Sequence, residues 1–195
     1  MNKSFSAGKK FSIKKILLEA RSSFSKIIHL DKEIEEAAIL MLKVLKNKKK
    51  IFFCGNGGSA ADSQHIAAEL IGRFLKVRKP LAALSLTSNS SIITSIGNDF
   101  SFDNIFLRQL QGLGSSGDLL FAISTSGKSK NINKTIKFAI KNKIYVVFLT
   151  SIKCKKKMNY PNKIIKVPAL RVDRIQEMHI CIGHILCEYL ENKKF

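Results

Sequence analysis

His65 and Glu69 stand four residues apart, a short way after the run Gly-Asn-Gly-Gly-Ser at residues 55–59. On a helix this spacing puts both side chains on one face. An imidazole and a carboxylate there could move a proton or hold a metal ion. A His–Glu pair at this spacing is also a common surface pair, and Gln64, Ile66, Leu70 and Ile71 leave the direction of that face open. The glycine-rich run offers free backbone N–H groups at a helix N-terminus, where an anion is stabilised. A second run, Ser-Thr-Ser-Gly-Lys-Ser at residues 124–129, does the same with four hydroxyls added. Neither run has the P-loop spacing or the dinucleotide fingerprint, which argues against nucleoside triphosphate hydrolysis. A hydroxyl-rich loop suits a phosphate monoester. Near the C-terminus, Gln176 and His184 lie eight residues apart, about two turns plus 80° and about 12 Å of rise. They cannot close on one ion from a single helix, so other elements or a neighbouring subunit must contribute. Glu177 and His179 point elsewhere and read as helix surface or interface.

The elements that must position these residues follow from the apolar pattern. Ile13, Ile16, Leu17, Ala20 and Phe24 recur at helical spacing, so a helix begins near Ser12. Asp31 reads as the N-cap of a second helix, with Glu33, Glu35 and Glu36 in a first turn where the dipole favours acids. From Lys50 the period changes. Short apolar runs at 51–54, 81–86, 118–123, 144–149 and 164–167 alternate with helical stretches at 60–74, 132–141 and 173–190. Near-continuous apolar strands alternating with helices imply an α/β fold, a parallel sheet covered on both faces. Ligands of such sheets sit beyond the carboxyl ends of the strands, where both anion-friendly runs fall. The stretch 87–98 reads as a loop, and 151–163, with Lys153, Lys155, Lys156 and Lys157, as a basic surface loop.

The 195 residues fit one domain, read as an N-terminal helical arm over 1–48, part of the same unit, and a main domain over 49–195. Lys and Arg number 34 against 14 Asp and Glu, for a net charge of +20. Only Arg21, Arg73, Arg78, Arg108, Arg171 and Arg174 are arginines, the residue type that recognises phosphates and bases bidentately. With no Trp and three Tyr as well, the charge reads as skewed composition rather than as a nucleic-acid surface. No stretch approaches the roughly 20 apolar residues that span a bilayer, so no membrane is expected. The N-terminus has no apolar core of a secretory signal. Cys54, Cys154, Cys181 and Cys187 form no C-x-x-C pair and read as the reduced thiols of a cytoplasmic protein.

Residues 54–74, CGNGGSAADSQHIAAELIGRF, together with GND at 97–99, ISTSG at 123–127 and DRIQEMHI at 173–180, resemble the phosphoheptose isomerases of the sugar isomerase (SIS) fold. The matches keep their order over about residues 30–192. The resemblance implies a three-layer αβα fold with a five-stranded parallel sheet and an N-terminal helical extension. It implies a homotetramer with active sites between subunits. It further implies conversion of the sugar phosphate D-sedoheptulose 7-phosphate to D-glycero-D-manno-heptose 7-phosphate, towards bacterial surface heptose. By the same resemblance, Ser124, Thr125, Ser126 and Ser129 would hold the phosphate. Asn56, Gly57, Gly58, Asn98, Asp99, Glu69 and Gln176 would line the sugar site. Glu69 would be the catalytic base, His184 the acid, and His65, Glu69, Gln176 and His184 the ligands of a zinc ion. A zinc with four protein ligands leaves no open substrate position unless one yields. The family is usually glycine-rich after its fourth strand, where this chain reads SIKCKKK at 151–157. Two other readings compete: a non-catalytic SIS tetramer that binds the replication initiator, and an isomerase of another sugar phosphate. The relative that binds the initiator lacks the base and the acid, whereas Glu69 and His184 are both present here.

Overall fold

The computed structural model describes residues 12–155 and 161–193. Lys3, Lys9 and Lys10 of the basic N-terminus, and Lys156 and Lys157 of the basic loop, lie outside the described residues. Five strands, β1 (Ile51–Cys54), β2 (Ala83–Ser85), β3 (Leu119–Ile123), β4 (Tyr145–Ser151) and β5 (Lys163–Val167), form one sheet in the order β2-β1-β3-β4-β5. Every pairing is parallel.

The helices are α1 (Ile13–Ser25), α2 (Asp31–Lys46), α3 (Gly58–Ile71), α4 (Ser90–Asp99), α5 (Ile105–Leu113), α6 (Lys130–Lys141) and α7 (Val172–Glu191). Successive strand residues point to opposite faces, and the core divides accordingly. Ile51, Phe53, Leu119, Phe121, Val147 and Leu149 pack with α2, α3 and α7. Phe52, Cys54, Leu120, Ala122, Val146 and Phe148 pack with α4, α5 and α6. The result is the three-layer αβα sandwich expected from the strand–helix alternation.

Several local expectations change. Ser12 does cap α1, its Oγ accepting from the Lys15 amide at 3.3 Å. Asp31 is not an N-cap: the 3₁₀ segment Lys26–Leu30 leads directly into α2, and Asp31 is already its first helical residue. The stretch read as a loop over 87–98 is mostly α4, begun by Asn89, whose Oδ1 accepts from the Ile92 amide at 3.0 Å. Its Ser, Thr and Ile residues are poor helix formers, so propensity alone hides it. His179 is no surface residue. It is fully buried, and its Nε2–H donates to the Thr150 carbonyl at 3.1 Å.

α1 buries none of its residues and leaves Ile13 and Leu17 well exposed. All four cysteines are free thiols. Among the described residues, no helix is long and apolar enough to cross a membrane.

Candidate active site

The order 2-1-3-4-5 places a switch point between β1 and β3, because the chain leaves β1 to one side and returns to build β3 on the other. A crevice opens at such a point, beyond the carboxyl ends of the two strands. The two loops singled out in the sequence form its walls. In the first, Gly57 has φ +57°, a conformation that disfavours any side chain. Gly58 begins α3 under the Gln176 carboxamide, and a Cβ there would lie 2.2 Å from Gln176 Nε2. Gln176 is thus seated at the N-terminus of α3, on the rim of the crevice.

The second loop is held from below. The Thr150 hydroxyl donates to the Ser124 carbonyl and the Ser151 hydroxyl to the Thr125 carbonyl, each at 2.7 Å. Ser124 Oγ accepts from the Gly127 amide and lies 3.2 Å from Ser129 Oγ. Ser126 Oγ accepts from the Lys128 amide at 3.2 Å. A cavity of about 500 Å³ opens beside this loop, lined by Ser126, Lys128, Asn133, Lys153 and Lys155 among others. Of the loop's four hydroxyl residues, Ser126 lines this cavity, together with three lysines whose charge suits an anion.

Sequence reasoning missed the residue that joins the two walls. Asn131 is buried in the first turn of α6, and its side-chain amide pairs reciprocally with that of Asn56, both bonds at 2.9 Å. Its position directly after the serine loop was the available signal. Asn98 and Asp99 stand at the end of α4, where Asn98 Nδ2 donates to Asp99 Oδ1 at 2.9 Å.

Helices α3 and α7 run side by side in the same direction: Gly58 faces Gln176, and Gly183 leaves room for Ile66. That register carries His65 and Glu69 to His184. His65 Nε2 lies 3.2 Å from Glu69 Oε1 and 3.2 Å from His184 Nε2. Ligand atoms of all three residues fall within 4.8 Å of one another. Phe74 stacks on His184, ring centroids 5.4 Å apart and planes 19° from parallel. Gln176 is not in this group, being eight residues and about 12 Å earlier on α7.

The three donors fit a zinc ion. Two imidazoles and a carboxylate are the donor set of a common catalytic zinc. A tetrahedron with bonds of about 2.0–2.1 Å has edges near 3.3 Å, close to the two short separations observed. The site is half open to solvent, with His65 the most exposed of the three. One turn before His65, burial pushes the Asp62 carboxyl up to about 6, partly offset by His65.

An SIS domain family model matches residues 17–151. A phosphoheptose isomerase from Nitratiruptor sp. is 46% identical over 180 residues, covering 92% of this chain and 96% of that protein. The chain belongs to the phosphoheptose isomerase family. The structure of the phosphoheptose isomerase from Neisseria gonorrhoeae matches with a TM-score of 0.87 at 38% identity, covering 93% of this chain and 97% of that one. That of a Francisella tularensis phosphoheptose isomerase matches at 0.85 and 33% identity, over 94% of this chain and all of the other. The fold is that of SIS sugar-phosphate isomerases, and the chain is an enzyme of that class.

Proposed function

We propose that the chain converts D-sedoheptulose 7-phosphate to D-glycero-D-manno-heptose 7-phosphate. The observation that carries this reading is the convergence of His65, Glu69 and His184 in a chain whose relatives are phosphoheptose isomerases. Moving a carbonyl from C2 to C1 requires one proton to leave C1 and one to arrive at C2, through an enediol. Glu69 takes the first and, after exchange with solvent, delivers one to C2, while His184 serves the oxygens, giving a proton to the C2 carbonyl and accepting one from the C1 hydroxyl. The hydroxyls of Ser124, Thr125, Ser126 and Ser129 hold the phosphate. Asn56, Gly57, Gly58, Asn98, Asp99 and Gln176 line the path of the sugar.

His65, Glu69 and His184 would hold zinc, with Gln176 supplied by a neighbouring copy, and Glu69 and His184 would exchange that role for proton transfer when substrate binds. When bound, the ion supplies Lewis-acid polarisation of the substrate oxygens. A homotetramer with sites between copies agrees with this division of ligands. It agrees also with the apolar residues left exposed on the helical arm over 1–48, namely Ile13, Leu17, Leu18, Phe24, Ile28 and Ile39. The free thiols suit a cytoplasmic enzyme feeding bacterial surface heptose.

The test is an NMR assay of sedoheptulose 7-phosphate turnover before and after chelator treatment. Turnover lost with chelator and restored by zinc is the expected result. A folded, zinc-supplied protein that leaves this ketose unchanged overturns the assignment.

A further inference from the structure

Residues 72–82, between α3 and β2, have no regular secondary structure, yet they touch both proposed catalytic residues. Arg78 reaches back to the end of α3. Its Nη2 donates to the Glu69 carbonyl at 2.7 Å and its Nη1 to the Leu70 carbonyl at 2.8 Å. Both carbonyls lie in the last turn of α3, where a helix runs out of its own amides, and that of Leu70 also accepts from the Leu81 amide at 3.0 Å. From the end of α7, the buried Glu191 carboxylate accepts from the amides of Phe74 at 3.2 Å and Leu75 at 2.8 Å. The same carboxylate lies 3.6 Å from Arg78 Nε. Phe74, fixed by this carboxylate, is the residue whose ring stacks on His184. His184 therefore has two ring neighbours: Phe74, stacked on its face, and His65, whose ring centroid lies 5.0 Å away at 64° to it.

We propose that Arg78 and Glu191 are positioning residues for the reaction: together they clamp the 72–82 segment so that Arg78 fixes Glu69 through its backbone and Phe74 fixes the His184 ring. The inference rests on the roles given above to Glu69 and His184. The physical logic is that a half-open cluster has few neighbours to lock its rotamers, and small displacements of reacting groups cost rate steeply. Glu191 and Arg78 form a charged pair where α3 meets the 72–82 segment, and each spends its hydrogen bonds on backbone groups: Glu191 on the Phe74 and Leu75 amides, Arg78 on the Glu69, Leu70 and Lys79 carbonyls. A cap on a helix end would account for Arg78 alone. It would not account for the carboxylate that pins the Phe74 amide directly behind the ring on His184.

The test compares Arg78→Met, Glu191→Gln, Phe74→Leu and Phe74→Tyr with the unaltered protein. Two readouts are used: steady-state kinetics and the NMR signals of the His184 ring protons, which the stacked Phe74 ring shifts upfield. Arg78→Met, Glu191→Gln and Phe74→Leu are expected to lower kcat about tenfold to a hundredfold with KM within about twofold. In all three the His184 signals should move downfield, whereas Phe74→Tyr should keep both the rate and the signals. Wild-type kcat with unmoved His184 signals in the two clamp variants, whatever their melting temperatures, overturns the proposal. If either clamp variant fails to fold, the Phe74 pair decides: equal rates for leucine and tyrosine overturn it. Should the unaltered protein not turn over the ketose, the functional reading fails, and the His184 signals alone still decide whether the clamp positions the ring.

Discussion

Replacing His179 with glutamine should change how stability depends on pH. His179 is fully buried on α7, its Nε2–H donating to the Thr150 carbonyl, and its Nδ1 has no partner. Burial drives its pKa down from 6.5 to about 4, against a smaller upward effect of the Thr150 hydrogen bond. The unfolded chain therefore binds a proton between pH 6.5 and about 4 that the folded chain refuses, and stability falls as pH falls through that window. The cost is negligible at pH 7.5 and reaches about 2 kcal/mol at pH 5. Asp62 acts in the opposite sense, since its raised value makes the folded state bind the extra proton. The measurement must therefore be a difference between two proteins. Glutamine places an amide N–H near the position of Nε2 but does not titrate. Urea unfolding of both proteins, followed by circular dichroism at one protein concentration, should show wild type losing about 2 kcal/mol relative to His179→Gln from pH 7.5 to pH 5. The Thr150 that His179 holds also braces Ser124, so the serine loop should loosen over the same range. Parallel stability curves would refute the reasoning.

Glu69→Gln should lower turnover by about a hundredfold or more without changing the melting temperature, because the amide keeps the shape and cannot take a proton; a rate near wild type removes Glu69 as the base. Asn131→Leu breaks both hydrogen bonds to Asn56 and should cost about 1–3 kcal/mol while raising KM, as the two crevice walls lose their link. Unchanged stability and KM would show that the walls are held otherwise. Gly58→Ala puts a methyl group where Gln176 Nε2 now sits. The end of that side chain can swing away, so the fold should survive with a stability change of about 1 kcal/mol or less, and KM should rise about tenfold. Full activity would show that Gln176 serves neither substrate nor metal.

Much of the architecture could be read from residue patterns. The alternation of apolar runs with helices gave five parallel strands and a covered sheet, because apolar runs of four to six residues are too short for helices and recur between helical stretches as the strands of a covered parallel sheet do. Helix α4 escaped, since Ser90, Ser91, Ile92, Ile93 and Thr94 carry weak helical propensity and Asn89 starts the helix through one side-chain hydrogen bond. Helix α5 was not foreseen either. His179 was misplaced because an imidazole within a polar-looking run gives no sign of the carbonyl that will receive it. At the site, the i,i+4 spacing was enough to pair His65 with Glu69. Their meeting with His184 depends on the parallel register of α3 and α7, set by Gly58 beneath Gln176 and Gly183 beside Ile66. Such close approaches between distant residues have no local signature. The same holds for Asn131, Phe74, Arg78 and Glu191, whose partners are fixed only by tertiary contact.

The central claim, that Glu69 carries a proton through an enediol beside His184, is tested most directly by running the isomerisation in deuterium oxide. The product aldose should carry deuterium at C2, because a carboxylic acid exchanges its proton with solvent before returning it. Glu69→Gln should incorporate none. A product from the unaltered protein that is wholly protiated at C2 would mean direct hydrogen transfer from C1 to C2, and would contradict the account.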